Sequence, residues 1–180
     1  QTCALPIFLE EMQTAKGMGV DPYYLMDRQA ERAPIGANRL VYLPYLMGER
    51  SPKLDSDCRG VFFGLSAMHT KYDMLRAVME GVIYSQRECL DILRGMGVVS
   101  SEMLACGGGG SSPMWRQMMA DVYNLPVKTV VSKEGPALGV AILAGVGAGI
   151  YPSVAEACRK VVKTNPAQAP IPENTGRYEE

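Results

Sequence analysis

One stretch of the chain decides the fold: residues 102–131 read EMLACGGGGSSPMWRQMMADVYNLPVKTVV. The short apolar run at residues 103–106 stops at four glycines, which predicts a buried strand that ends in a turn. Ser112 is placed to cap a helix and Pro113 to occupy its first position, where a missing N–H costs nothing. The stretch therefore predicts a strand, a glycine turn and then a helix.

The helix predicted after Pro113 has one apolar face. Its apolar residues recur at i, i+3, i+4 and i+7, which is the spacing of a helix that packs against a sheet. Pro126 ends the helical pattern, and residues 127–131 resume as a second strand. The apolar positions are Trp115, Met118, Met119 and Val122.

The four consecutive glycines allow a ligand to lie against bare backbone. Free N–H groups and the helix dipole give such a turn partial positive charge, which suits a nucleotide. The turn is not a P-loop, because no Lys-Ser or Lys-Thr pair follows the glycines, and it lacks the Gly-x-Gly-x-x-Gly pattern of dinucleotide sites. Glycines at this place also serve close packing of a strand against a helix, and the spacing alone leaves both interpretations open.

The composition is that of a soluble globular chain. Its 180 residues fit one domain or a large piece of a longer protein. With 47% hydrophobic residues and a net charge of -1, the sequence gives no electrostatic case for binding nucleic acid or an anionic membrane. No apolar run is long enough to span a bilayer. The cysteines form no Cys-x-x-Cys pair and predict reduced, mostly buried thiols in a cytoplasmic protein; they are Cys3, Cys58, Cys89, Cys106 and Cys158.

Residues 1–7 read QTCALPI and follow neither a helical nor a strand period. They match, residue for residue, a forward translation of a common DNA-sequencing adapter. We therefore expect them to be foreign to the natural protein, whose own sequence would begin at Phe8. Long-read sequencing of the source DNA tests this expectation, and an in-frame gene start at Gln1 would contradict it.

Strands and helices alternate along the rest of the chain, which predicts an α/β layer architecture. The buried face of the longest helix is predicted to include Leu75, Val78, Met79, Val82, Ile83, Leu90 and Leu93. Glu80 and Gln86 lie in or beside this stripe and either face a site or serve a helix interface. The expected elements are helices over 8–16 and 22–31, strands over 39–46 and 60–65, a long helix opened by a capping box of Thr70 and Asp73, a small-residue helix over 135–149, a helix from Ser153 to 162, and an extended exit at 165–174.

Two further features have open or structural interpretations. The loop at residues 47–60 carries Arg50, Asp55, Asp57 and Arg59, and is either a cleft loop or a solvated connection with local ion pairs. The single histidine, at position 69, has no carboxylate or cysteine partner in sequence, so we expect a structural role. In the small-residue helix, an alanine face is predicted to bring the helix close to the sheet; it comprises Ala137, Ala141, Ala144 and Ala148.

Several motifs resemble the FGGY family of carbohydrate kinases. The run from Gly107 to Asp121, followed by Pro126-Val127 and by GPALG at residues 135–139, is similar to the C-terminal signature of that family. The segments LPYLMGERSP at residues 43–52 and DCRGVFFGL at residues 57–65 are most similar to its xylulokinase branch. The resemblance covers nearly everything after Phe8.

This resemblance implies an incomplete ribonuclease H-like α/β domain of the actin-like ATPase superfamily. Residues 8–180 would be the C-terminal nucleotide-binding portion of a sugar kinase that uses ATP and Mg2+, and D-xylulose is the first expectation for the sugar. The residues implied to face the adenosine and α-phosphate are Gly107, Gly108, Gly109 and Gly110, and Ser112 would hydrogen-bond the nucleotide. Glu49 and Arg50 would lie near the cleft without an assigned catalytic step.

Motifs of the family that precede this region are absent from the chain. They supply the aspartate that acts as general base, the phosphate-binding turn and the sugar contacts, so we expect the chain alone to be inactive as a kinase. Its expected partners are the sugar and the N-terminal domain of the same protein, and a homodimer is left open. Three alternatives remain: a family member acting on glycerol, gluconate, ribulose or a deoxyketose; a non-catalytic actin-like nucleotide-binding module; and an α/β domain whose glycine turn only packs.

Overall fold

The computed structural model describes residues 9–132 and 135–180, and it consists of helices packed around two short pairs of strands. The proposed adapter residues, the helix start at Phe8, and Lys133 and Glu134 lie outside the described residues. The elements are α1 (Leu9–Met18), α2 (Pro22–Ala30), a short 3-10 segment (Ala37–Arg39), β1 (Val41–Leu43), β2 (Val61–Phe63), α3 (Lys71–Gly95), β3 (Met103–Ala105), α4 (Gly107–Ser111), α5 (Pro113–Tyr123), β4 (Val127–Thr129), α6 (Gly135–Gly147), α7 (Val154–Val161) and α8 (Pro172–Glu179).

The four strands form two separate pairs. β1 and β2 are antiparallel, with Val41 opposite Phe63, whereas β3 and β4 are parallel, with Met103 opposite Val127. The parallel pair follows from the crossover through α5, because parallel neighbours need a connection that returns the chain to the same edge. All four strands exist as predicted but are only three residues long, and β1 ends directly before Pro44. The prediction that the strand before the glycines is buried is wrong, because Leu104 of β3 is 51% exposed.

The predicted start signals of the helices are confirmed. Thr70 and Asp73 form a capping box at α3, in which each side chain accepts a hydrogen bond from the other's backbone. Asp21 caps α2, and Ser153 caps α7 by accepting from the Glu156 N–H. The predicted end of the first helix at residue 16 is wrong, because α1 runs on through Gly17 to Met18.

The main core lies where α3 packs against α5. Ile83 and Leu90 of α3 contact Met118, Met119 and Val122 of α5 in one buried cluster. The predicted apolar face of α3 is buried or half-buried except at Leu93, which is 45% exposed. Leu93 belongs to the last turn of α3.

The prediction for α6 is wrong in its orientation. The four alanines expected to approach a sheet are exposed, and the buried positions of α6 are Ile142 and Gly145. Gly145 lies so close to Tyr151 that an added Cβ would approach the ring to 2.9 Å, which shows that this face packs on the connection to α7. The outer face carries Val140 at 67% exposure and Leu143 at 62%.

The C-terminal segment is more ordered than its prolines predict. Gln168 forms an antiparallel bridge with Val127 of β4, and Thr164 forms one with Val130, just after β4. The extended exit predicted up to residue 174 is wrong at its end, because α8 begins at Pro172. Pro172 lies in the first turn of α8, where proline is tolerated. The α8 residue Tyr178 reaches α3, where its hydroxyl contacts the buried pair Arg76 and Glu80.

Within residues 9–132 and 135–180, no helix combines the length and the apolar character needed to cross a bilayer.

Candidate functional site at the glycine turn

The four glycines form one turn of helix, α4, rather than the non-helical turn that was predicted. Cys106 is extended, and Gly107 then adopts a positive φ of +76°, which redirects the chain into the helical turn. Two hydrogen bonds hold the turn: the Ser112 N–H donates to Gly109 O at 3.3 Å, and Arg116 Nη1 donates to Gly110 O at 2.6 Å. These bonds stabilise a helical conformation that glycine alone favours weakly.

The two halves of the turn have different surroundings. Gly107 and Gly108 are exposed, and an added Cβ at Gly107 would have no neighbour within 4 Å. At Gly109 an added Cβ would lie 2.5 Å from the Trp115 ring, and at Gly110 it would lie 3.0 Å from Ala105 O. The first half therefore offers open backbone to a ligand, and the second half is glycine because α4 packs closely on α5 and β3.

Ser112 has the capping role predicted for it. Its Oγ accepts a hydrogen bond from the Trp115 N–H at 3.0 Å, and Pro113 occupies the first position of α5. Ser112 is half-buried. The predicted site residues are therefore contiguous in space, at the junction of β3, α4 and α5.

Trp115 packs against this junction. Its ring lies against Gly109, and its Nε1–H donates to Met79 O of α3 at 3.2 Å. The sequence pattern predicted Trp115 only as part of an apolar face. The indole also fixes the distance between the glycine turn and α3.

Two polar residues of the site were not predicted. Arg116 binds the last glycine carbonyl of the turn, as described above, and Asp27 of α2 lies near the Ser112 side chain. Burial raises the pKa of the Asp27 carboxyl; the nearby Ser112 side chain opposes this shift, and the carboxylates of Glu31 and Asp21 add to it. Arg116 had a local signal, since it follows the glycines on the same helix, but the approach of α2 to Ser112 has no signature in sequence.

The loop at residues 47–60 is bonded mainly to itself. Glu49 Oε1 accepts from the N–H groups of Arg50 and Ser51 at 2.8 and 2.7 Å, and Asp55 Oδ1 accepts from the Asp57 N–H at 2.8 Å. These contacts do not bring Glu49 or Arg50 to the glycine turn. His69 bonds the Ser66 N–H and Asn38 O, which agrees with the structural role expected for it.

A cavity of about 360 Å³ lies on another side of α5, towards α8. The charged groups at its walls already have protein partners: Arg76 donates to Ala33 O, and Asp121 accepts from Gln117, Asn174 and the Ile171 N–H. We assign it no ligand. In the described part of the chain, no three His, Cys, Asp or Glu side chains group closely enough to hold a metal ion.

Comparisons with known proteins identify the family. Residues 6–148 match the family model described as the C-terminal domain of the FGGY family of carbohydrate kinases. The chain belongs to this family. The FGGY relationship confirms the resemblance drawn from the motifs around Gly107 and residues 43–65.

Similar FGGY proteins carry more than one name. The chain is 39% identical over 151 residues to a protein of Staphylococcus epidermidis named xylulose kinase, covering 84% of this chain and 30% of that protein. It is 43% identical over 140 residues to a Bacillus licheniformis gluconokinase, covering 74% of this chain and 26% of that protein. A crystal structure of ligand-bound xylulose kinase from Lactobacillus acidophilus superposes with a TM-score of 0.81 at 30% identity, covering 90% of this chain and 33% of that one.

The TM-score compares the fold of the chain with a solved structure, and the coverages give the share of each relative that the chain spans. The described elements have the arrangement found in FGGY kinase structures, and the α/β class is confirmed. The chain spans about 30% of the length of the curated relatives it matches.

Proposed function

We propose that this FGGY chain is the nucleotide-binding portion of an ATP-dependent sugar kinase. Residues 8–180 would form most of a ribonuclease H-like, actin-like C-terminal domain. Gly107, Gly108, Gly109 and Gly110 would face the adenosine and the α-phosphate of ATP, and Ser112 would hydrogen-bond the nucleotide. The observation that supports this proposal is the exposed backbone of Gly107 and Gly108. It belongs to a turn against which the Trp115 ring packs at Gly109.

The reaction proposed for the whole protein is transfer of the ATP γ-phosphate to a ketose hydroxyl, with D-xylulose as the first substrate to test. Phosphoryl transfer depends mostly on positioning and on electrostatic stabilisation of the transferred group. Mg2+ would accompany the nucleotide phosphates, where it neutralises charge. In the whole protein, this chain would hold the nucleotide. An N-terminal domain of the same protein would supply the general base and the sugar contacts.

Exposed apolar surface supports the need for such a partner domain. Val41 and Leu43 of β1 lie on one face with Val61 and Phe63 of β2, and Phe63 is 71% exposed. An apolar strand face of this kind is normally covered by another layer of structure. We propose that further parts of the same protein cover it and that the isolated chain is poorly soluble.

Gluconate is a second candidate substrate. It is favoured by one observation: the Bacillus licheniformis gluconokinase has the higher sequence identity of the two relatives compared above, at 43%. The residues that would distinguish a ketose from a sugar acid belong to the proposed N-terminal domain.

The experiment for the reaction uses the complete gene recovered from the source DNA. Release of ADP with MgATP is measured across a panel of D-xylulose, gluconate, glycerol and ribulose. Preference for D-xylulose supports the first candidate substrate. Preference for another sugar of the panel supports kinase activity with that sugar as the substrate. No release with any sugar contradicts the catalytic proposal and favours a non-catalytic nucleotide-binding module.

The experiment for the nucleotide site uses the chain itself. A saturable rise in Tm with ATP is expected, because a ligand that binds only the folded state stabilises it. Gly107→Ala should weaken ATP binding, and Gly97→Ala is the matched control, since Gly97 also has a positive φ, +87°, and open space around it but lies at the end of α3. Equal ATP affinity in both variants would contradict the assignment, and ATP-dependent ADP release by the chain alone in the presence of a sugar would contradict its expected inactivity.

A further inference from the structure

Arg116 of α5 reaches back to the glycine turn that precedes its own helix. Its Nη1 donates to Gly110 O at 2.6 Å, and its backbone N–H donates to Ser112 O at 3.0 Å. Gly110 is buried, and its carbonyl is one of the last four of α4, which have no partner within a helix. The guanidinium supplies that partner with a charged donor, and hydrogen bonds of this kind are stronger than those between neutral groups.

The other contacts that hold the turn also act on its second half. The Trp115 ring packs at Gly109, and the Ser112 Oγ accepts from the Trp115 N–H at 3.0 Å. In the first half, an added Cβ at Gly107 would have no neighbour within 4 Å. Glycine has the most backbone freedom to lose and a poor helix propensity, so the exposed half depends on the anchored half for its conformation.

The anchoring of the turn is separable from the stability of the core. The buried cluster between α3 and α5 is formed by apolar side chains such as Ile83 and Met118, whereas α4 consists of four glycines and a serine. A segment with few buried apolar contacts opens locally at a lower cost than the whole fold. When only a fraction of the molecules has the competent conformation, the apparent affinity for a ligand falls by that fraction.

We propose that Arg116 is a positioning residue of the nucleotide site: by bonding Gly110 O, it keeps the glycine turn in the helical conformation that exposes Gly107 and Gly108 to the ligand. This inference rests on the proposed function, and it adds a residue beyond the glycines and Ser112. Because Arg116 acts through the turn, its loss should weaken every ligand of the turn by the same factor. A guanidinium that contacts the phosphates directly would weaken only ligands that carry phosphate.

Hydrogen exchange of the ligand-free chain measures the state of the turn. The Ser112 N–H donates to Gly109 O at 3.3 Å, and in Arg116→Ala it should exchange roughly tenfold faster, the range of one hydrogen bond to a charged group. Arg94→Ala is the matched control. Arg94 Nη2 donates to Tyr123 O at 2.8 Å, so it also bonds a backbone carbonyl, but at the far end of α5. The exchange rate of the Ser112 N–H should stay at the wild-type value in this control.

The affinities are obtained from the Tm of the chain titrated with ATP and with adenosine, which has no phosphate. Arg116→Ala should bind both ligands roughly tenfold more weakly than wild type does. Arg116→Lys should recover most of the affinity, because an ammonium group can also donate to the Gly110 carbonyl. Arg94→Ala should bind both ligands as wild type does.

The outcomes separate the inference from the proposed function. Unchanged Ser112 exchange or unchanged ATP affinity in Arg116→Ala overturns the inference and leaves the nucleotide site standing. A loss of affinity for ATP but not for adenosine overturns it in favour of a direct phosphate contact. Equal losses of affinity in Arg94→Ala overturn it as well, because they would reflect general destabilisation. A wild-type chain that neither ligand stabilises overturns the proposed function, and the inference with it.

Discussion

Two carboxylates, one in the α3–α8 contact and one in the α2–α5 contact, show how differently a folded chain uses a buried charge. Glu80 is 1% exposed, and its Oε1 accepts from Arg76 Nε at 2.7 Å, from the Tyr178 hydroxyl at 3.0 Å and from the Gly36 N–H at 3.2 Å. Asp27 is less buried, has no such cation, and lies near two other acids. The first carboxylate joins three parts of the chain, whereas burial raises the pKa of the second, so its ionised form is less favoured in the folded state than in water.

Burial raises a pKa in each of the two contacts, with different consequences. Burial raises the pKa of Tyr178, and the Glu80 carboxylate adds to the shift, so the phenol stays protonated and donates to Glu80 at neutral pH. Burial also raises the pKa of Asp27, but there the consequence is a cost for the ionised form. Substitutions can test whether the two regions differ in this way.

Glu80→Ala is expected to have the largest effect. It leaves the Arg76 guanidinium buried without its carboxylate, and breaking a buried pair in this way costs about 3–5 kcal/mol. The free energy of unfolding in urea measures the loss. Glu102→Ala is the control, because the Glu102–Lys128 pair is partly exposed and should contribute below about 1 kcal/mol. Equal losses of unfolding free energy in the two variants would show that Glu80 stabilises the fold no more than a partly exposed ion pair does.

Gly109→Ala should come next. The new Cβ would lie 2.5 Å from the Trp115 ring, and overpacking of this kind costs about 1–3 kcal/mol. Gly17→Ala is a control of opposite sign: Gly17 is within α1 with nothing within 4 Å, so alanine should stabilise the chain by roughly 0.5–1 kcal/mol. Urea unfolding of both variants measures the contrast, and a neutral Gly109→Ala would show that the second half of the turn is not packed.

The sequence predicted what is local in these regions and missed what joins distant segments. Caps at Thr70 and Ser112 were visible because each lies within three residues of its partner. The bond between Tyr178 and Glu80 spans 98 residues and has no periodicity to reveal it, so α8 was not predicted. The α6 orientation failed for a related reason: a helix apolar on all sides gives no preferred face, and its neighbours decide which one is buried.

At the candidate site, too, the sequence predicted local features and missed contacts between distant segments. The glycines and Ser112 were found because a strand, a glycine run and a helix cap follow one another in sequence. Asp27 was not found, since its relation to Ser112 arises only when Met26 packs near Met114. The helical form of α4 was missed because glycine has a poor helix propensity, and Arg116 supplies the compensating hydrogen bond from outside the turn.

Tyr178→Phe should have a smaller effect than either variant above. It removes the hydroxyl that accepts from Arg76 Nη2 and donates to Glu80, and the loss of such a hydrogen-bonded group costs about 1 kcal/mol. Tyr24→Phe is the matched control, because Tyr24 is 55% exposed and should change stability by less than about 0.5 kcal/mol. Indistinguishable unfolding curves for the two variants would indicate that α8 is held by packing alone.

Asp27→Asn should have the smallest effect, and its sign should be opposite. Because the folded pKa is raised, the folded state holds the proton more tightly than the unfolded state, so Asp27 lowers stability as pH rises above the ordinary value of 3.8. The variant should therefore be slightly more stable than wild type at pH 7 and lose that advantage as pH falls. Urea unfolding across pH measures the difference, with the exposed Asp57→Asn as control. Lower stability at pH 7 would show that Asp27 supports the fold.

The exposed thiol of Cys106 gives the glycine turn a chemical reporter. It directly precedes Gly107, whereas the other three cysteines in the described part of the chain are half-buried, so the prediction of mostly buried thiols is wrong there. A maleimide should label Cys106 first, and a nucleotide lying along the turn should slow that labelling. The rate of a simple alkylation, followed by mass spectrometry, would then footprint occupancy of the turn without a fluorescent ligand or a catalysed reaction.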